Sequence, residues 1–172
     1  MTNSLLPGKF TGIIQLEPQD RTELVRLQNK VLALYSSQQP IAKLHCTLLH
    51  QAFPKKIFTK EGLRGDKALK ALYKSGKHME ISTPQLVYGE VRMGFTMGTS
   101  YRRSTYVEIL NTEELLQVRN AILELAGLVV EDLVLTRVEA LRTFHISLTN
   151  LEGTGGASIA YPHSSDVYLE LK

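Results

Sequence analysis

Apolar positions along the chain fall into two matching runs. Gly12-Ile13-Ile14-Gln15-Leu16 reads as a short buried strand, followed by a turn at Glu17-Pro18-Gln19. Asp20 then stands three residues before Glu23, the spacing of a capping box at a helix start. Leu24, Leu27, Val31 and Leu34 follow at helical spacing, and the helix is predicted to end near Ser36-Ser37, before Pro40. The second half repeats the pattern. Thr105–Leu110 reads as a strand, Asn111 stands three residues before Glu114, and Leu115, Val118, Ile122 and Leu125 form the next helical stripe. All six helix positions recur 91 residues on, from Asp20 to Asn111 through Leu34 to Leu125. Gly127 is placed to end the second helix.

A second pair of segments extends the echo. Lys43-Leu44-His45-Cys46-Thr47-Leu48-Leu49 follows the first helix, and Thr143-Phe144-His145-Ile146-Ser147-Leu148-Thr149 follows the second after a longer connector. Both read as strands, and each holds a histidine, any residue, a hydroxyl residue, then an apolar residue. Residues i and i+2 of a strand share a face, so His45 goes with Thr47 and His145 with Ser147. Cys46 is then expected to point the other way, into the core, as a packing residue rather than a nucleophile. His50 falls on the face opposite His45.

The middle is less regular. Residues 51–76 hold Pro54, Lys55-Lys56, Gly62 and Gly65, with a short helix expected around Lys67–Tyr73. Residues 78–99 read as β structure, with Met79 and Ile81 alternating, a Leu86-Val87-Tyr88 run, and Val91, Met93, Phe95 and Met97 alternating. Gly153–Ser158 reads as a flexible loop, and Val167–Leu171 as a last strand at a sheet edge.

Composition narrows the class. The 172 residues, 19.3 kDa, are 43% hydrophobic and 22% charged, which fits an ordinary globular domain and excludes wholesale disorder. No apolar run approaches the ~20 residues of a membrane-spanning helix, and the first residues show no secretory signal pattern. A lone cysteine, Cys46, excludes an internal disulfide framework and a Cys-based zinc site, and the cytoplasm is the expected compartment. The five histidines lack zinc-motif spacing, so neither metal nor cofactor is expected. A net charge of +3 leans toward anionic partners but is too weak for duplex DNA. A monomer without membrane contact is the expected state.

With five histidines and 25 Ser or Thr, about 0.7 accidental His-x-Ser/Thr matches are expected; the chain has three. His163/Ser165 follows Pro162 in a polar stretch without strand character and is set aside. The other two share strand context, an apolar follower and equivalent places in the repeat. On these residues, His45-Cys46-Thr47-Leu48-Leu49 and His145-Ile146-Ser147-Leu148-Thr149, the chain resembles the 2H phosphoesterase superfamily over about residues 10–150. That superfamily includes 2′-5′ RNA ligase-like proteins and RNA cyclic phosphodiesterases, and is defined by two such motifs on duplicated lobes. The compact length and the Lys43–Thr47 block look most like small viral members that cleave cyclic nucleotide immune messengers, which would place the protein in host cytoplasm. The absence of Trp and the long tail after the second motif depart from the pattern.

The resemblance implies an α+β fold of two pseudo-symmetric lobes, each an antiparallel-rich sheet with an outer helix, around a central cleft. One lobe would span about residues 10–76, the other 78–150, with a C-terminal loop and strand over 151–172. It implies metal-independent cleavage of cyclic (oligo)nucleotides by His45 and His145 as acid and base, in an order the residues leave open. Thr47 and Ser147 would donate hydrogen bonds to the phosphate oxygens. Lys43, Lys55, Lys56, Arg102, Arg103 and Arg142 are candidates for a basic rim, and Phe53, Tyr101 and Tyr161 for base stacking. Two other enzymatic substrates stay open: RNA 2′,3′-cyclic phosphate ends and 2′-5′ linkages. So do a non-catalytic nucleotide sponge and an unrelated α+β interaction domain in which the two histidines lie far apart. A lone strand histidine is ordinarily a packing residue, and Phe53 could equally fill the core.

Overall fold

The computed structural model describes residues 3–7, 14–49, 64–95, 103–127, 143–154 and 162–171. These form β1 (Ser4–Pro7), β2 (Ile14–Glu17), α1 (Thr22–Leu34), β3 (Gln39–Pro40), β4 (Cys46–Leu49) and α2 (Arg64–Ser75). A 3-10 turn (Lys77–Glu80) follows, then β5 (Tyr88–Phe95), β6 (Arg103–Ile109), α3 (Thr112–Leu125), β7 (Phe144–Asn150) and β8 (Val167–Tyr168). The class is α+β. All strands join one antiparallel sheet in the order β1-β2-β4-β7-β6-β5-β8, with β3 lying along β7 beside β4.

One face of the sheet is apolar because every second strand residue is. Leu16, Cys46, Leu48, Val107, Ile109, Phe144, Ile146 and Leu148 are all almost fully buried. The helices cover this face. Leu24, Leu27 and Val31 of α1 and Leu115, Val118 and Ile122 of α3 join the same core cluster. Each helix packs on the motif strand of the other half: α1 on β7, α3 on β4. Gln28, buried in α1, donates from Nε2 to the carbonyls of Ile41 (2.9 Å) and Leu148 (2.8 Å), satisfying the strand edge beneath it.

The duplication extends into the hydrogen-bond register. In β2–β4, Leu16 faces Cys46 and Gln15 faces Thr47; then Leu48 is skipped and Ile14 faces Leu49. In β6–β7, Val107 faces Ile146 and Tyr106 faces Ser147; then Leu148 is skipped and Thr105 faces Thr149. Every member of the second set lies 91 or 100 residues after its counterpart, and the bulge recurs at the same place. The two halves meet where β4 pairs with β7, at Cys46 opposite Ile146.

Several local expectations change. Residues 77–87 are not β structure. Gly76 takes a left-handed φ of 75° after α2 and turns the chain into the 3-10 segment. There Met79 is 77% exposed and His78 is the buried residue, its ring edge-on to Tyr73 at 4.8 Å. The stretch up to β5 is held by side chains instead of a ladder. Asn3 bonds Thr83 and the Pro84 carbonyl, and Asn111 bonds the Val87 N–H and the Gln85 carbonyl. The predicted capping box also fails to close. Asp20 accepts from the Thr22 N–H at 3.0 Å from outside the helix, and that bond holds its carboxyl below the ordinary range. Glu23 turns instead to Arg26. The helix over Lys67–Tyr73 is longer than predicted, α1 stops two residues early at Leu34, and the last strand is only Val167–Tyr168, pairing with β5. Gly127, with φ of 80°, follows α3 as predicted.

Candidate functional site

Thr47 and Ser147 stand on the sheet face turned away from the helices, because Cys46, Leu48, Ile146 and Leu148 take the core positions between. His145 shares that face, and His45, just ahead of β4, continues it. β4 pairs with β7 at Cys46 opposite Ile146; carried one residue on, an antiparallel ladder sets Thr47 against His145, and carried one residue back, past the start of β4, it sets His45 against Ser147. Each imidazole therefore has the other half's hydroxyl as its direct cross-strand neighbour. The two imidazoles are diagonal neighbours, a relation that places residues about 7–8 Å apart.

The two rings are held differently. His45 is half-buried, and its Nδ1 lies 2.9 Å from the Lys43 carbonyl. A carbonyl only accepts, so Nδ1 carries the proton, and in the neutral ring Nε2 is the accepting nitrogen. His145 is 9% exposed, its ring edge-on to Tyr106 with centroids 5.3 Å apart. Glu108 is its cross-strand partner on the β6 side. Continuing the β2–β4 register by one residue puts Glu17 opposite His45, and Glu17 and Glu108 are themselves 91 residues apart.

Beyond Glu108 the face continues into β5. Arg92 pairs with Glu108 at 3.0 Å and lies over the Tyr168 ring at 4.5 Å. The same guanidinium donates to the carbonyls of His163, Ser164 and Asp166. Gln15, Glu17, Arg92, Tyr106, Glu108 and Asp166 all went unmarked in the sequence reading. The first two and their mates Tyr106 and Glu108 were reachable by running the 91-residue repeat backwards through the strands; Asp166 and Arg92 carried no local signal.

The remaining candidates divide. Lys43 is exposed, and its carbonyl tethers His45. Arg103 is exposed at the first position of β6, where alternation sets it with Thr105 and Val107, on the face turned from the imidazoles. Arg102, Arg142, Tyr101, Phe53, Tyr161, Lys55, Lys56 and His50 lie outside the described residues. The set-aside motif His163/Ser165 sits in a turn, with Nδ1 2.6 Å from the Ser165 hydroxyl. Among the described residues no three His, Cys, Asp or Glu side chains gather to hold a metal. A cavity of about 330 Å³ opens between Ile81–Pro84 and α3, lined by Glu114 and Gln117 among others, and contains neither motif histidine. No helix among the described residues is long and apolar enough to cross a membrane.

No protein-family model matches the chain, and neither does any curated protein or solved structure.

Proposed function

We propose that the β4–β7 seam is a two-histidine phosphodiesterase site of the 2H type, cleaving cyclic (oligo)nucleotides without a metal. The observation that carries the reading is the seam register. Extended one residue either way from the Cys46–Ile146 pair, that register supports a cross-paired square of two imidazoles and two hydroxyls on one face, one His and one hydroxyl from each half. On this reading the two halves, joined in one continuous sheet, correspond to the lobes that the resemblance implies. His45 is the base: with Nδ1–H fixed on the Lys43 carbonyl, Nε2 takes a proton from the attacking ribose hydroxyl or water. His145 is then the acid that protonates the leaving oxygen. Thr47 and Ser147 donate to the non-bridging oxygens, where charge builds in the transition state.

The test is product analysis on cyclic dinucleotides, cyclic trinucleotides, 2′-5′ oligonucleotides and RNA 2′,3′-cyclic phosphate ends, with and without chelator. Turnover of a cyclic nucleotide, unchanged by EDTA and with a bell-shaped pH profile, is the expected result. His45→Ala and His145→Ala should each lower kcat about 10²–10⁴-fold. Turnover confined to RNA ends or 2′-5′ linkages would move the substrate, and binding without products would make the protein a sponge. Normal turnover in His145→Ala would refute the assignment of roles.

A further inference from the structure

Tyr106 is fully buried on the face of the motif histidines, beside Arg92 and His145, which are themselves only 7% and 9% exposed. Its ring meets the His145 imidazole edge-on, the planes inclined at 68°. Its hydroxyl donates to Asp166 Oδ2 at 2.5 Å, and that oxygen also accepts from the His163 N–H at 2.9 Å. Asp166 can lie there because position 94 has no side chain. A Cβ on Gly94 would stand 2.9 Å from both carboxylate oxygens. A second clamp holds the same turn, since Arg92 gathers the carbonyls of His163, Ser164 and Asp166. The first half has Gln15 where the second has Tyr106, so the duplicated halves treat their histidines unequally.

We propose, building on the two-histidine reading, that Tyr106 is a positioning residue for His145, and that the C-terminal turn exists at this place to hold it. Asp166 fixes the phenol, the phenol wall fixes the plane of the imidazole over the seam, and Gly94 leaves the space. A phenol free to rotate would let the His145 ring drift from the phosphate. Displacement of about 1 Å in a reacting group can lower turnover on the order of 10²-fold.

The test uses the full chain with isotope-labelled histidine rings, in wild type, Asp166→Ala, Asp166→Asn and Gly94→Ala, each checked for cooperative melting. Asp166→Ala and Gly94→Ala should shift or broaden the His145 ring resonances, leave those of His45 in place, and lower kcat about 10- to 10²-fold with KM little changed. Asp166→Asn keeps a carbonyl for the phenol to bond while removing the charge, and should restore both. Among the described residues Thr47 on β4, Ser147 on β7 and Glu108 on β6, with Arg92 beyond it, share the face of His145, and none is altered. Unmoved His145 resonances in Asp166→Ala would overturn the proposal. So would equal losses in Asp166→Ala and Asp166→Asn, which would assign the effect to charge. The two readings fail separately. A wild-type chain that cleaves no phosphodiester sinks the proposed function while the resonances still report on positioning. Unmoved resonances in an active enzyme sink the positioning alone.

Discussion

Burial pushes the Tyr106 phenol well above its ordinary value of 10.0, and the bonded Asp166 carboxylate adds to the shift. The sign of its effect on stability follows. The folded protein favours the neutral phenol, so the contribution is complete below the unfolded value of about 10 and is lost as pH rises past it. Burial raises Tyr73 in the same way, and Tyr88 to about 12, so the whole fold is expected to weaken in alkali. Tyr106→Phe removes one of these groups. Chemical denaturation from pH 8 to pH 11 should show its midpoint falling less steeply than that of wild type; parallel curves would mean that the phenol ionises freely in the folded state. The same residue marks a limit of reading by sequence. The 91-residue repeat makes it the counterpart of Gln15, but Asp166 lies 60 positions away and nothing local announces the bond.

At the scale of elements, periodicity carries a helix as far as the surface it covers. Leu24, Leu27 and Val31 are buried, as are Leu115, Val118 and Ile122, but Leu34 is 58% exposed and Leu125 45%. Both exceptions are the last residue of their helix, where the apolar stripe outlasts the sheet beneath it. Leu24→Ala should therefore cost about 2–5 kcal/mol, and Leu34→Ala under about 0.5 kcal/mol, in denaturant unfolding. Comparable losses at both positions would mean that Leu34 has a partner. The motif strands were legible for the same reason as the helices: alternation is local, and it put Cys46 in the core and Thr47 on the other face before any partner strand was known. Residues 78–87 depart from the β reading because an alternation of Met79 and Ile81 carries no trace of Gly76 redirecting the chain just ahead of it. Register was not legible at all, since pairing Cys46 with Ile146 joins residues 100 apart in sequence.

At the scale of the molecule, duplication is what makes the site. Each half builds β-β-α-β with the same bulge, the first with the short β3 added ahead of β4, and among the described residues neither half alone holds two imidazoles on one face. Pairing β4 with β7 near the centre of the sheet brings one histidine from each across the seam. On the proposed reading a base from one half and an acid from the other act on one phosphorus as a single device, and groups that act as a unit are not additive when removed. If each imidazole worked independently, His45→Ala/His145→Ala would lose the product of the two single losses. For a shared step, the double variant should lose no more than the worse single variant, within about threefold. His45 is half-buried, so His45→Ala should melt within a few degrees of wild type, whereas His145, 9% exposed and packed edge-on against Tyr106, should also cost stability when removed, and turnover is compared below the melting range of the weakest variant. A multiplicative loss in well-folded protein would mean that the halves carry two separate sites, and the cross-paired square would then be a consequence of the repeat rather than its use.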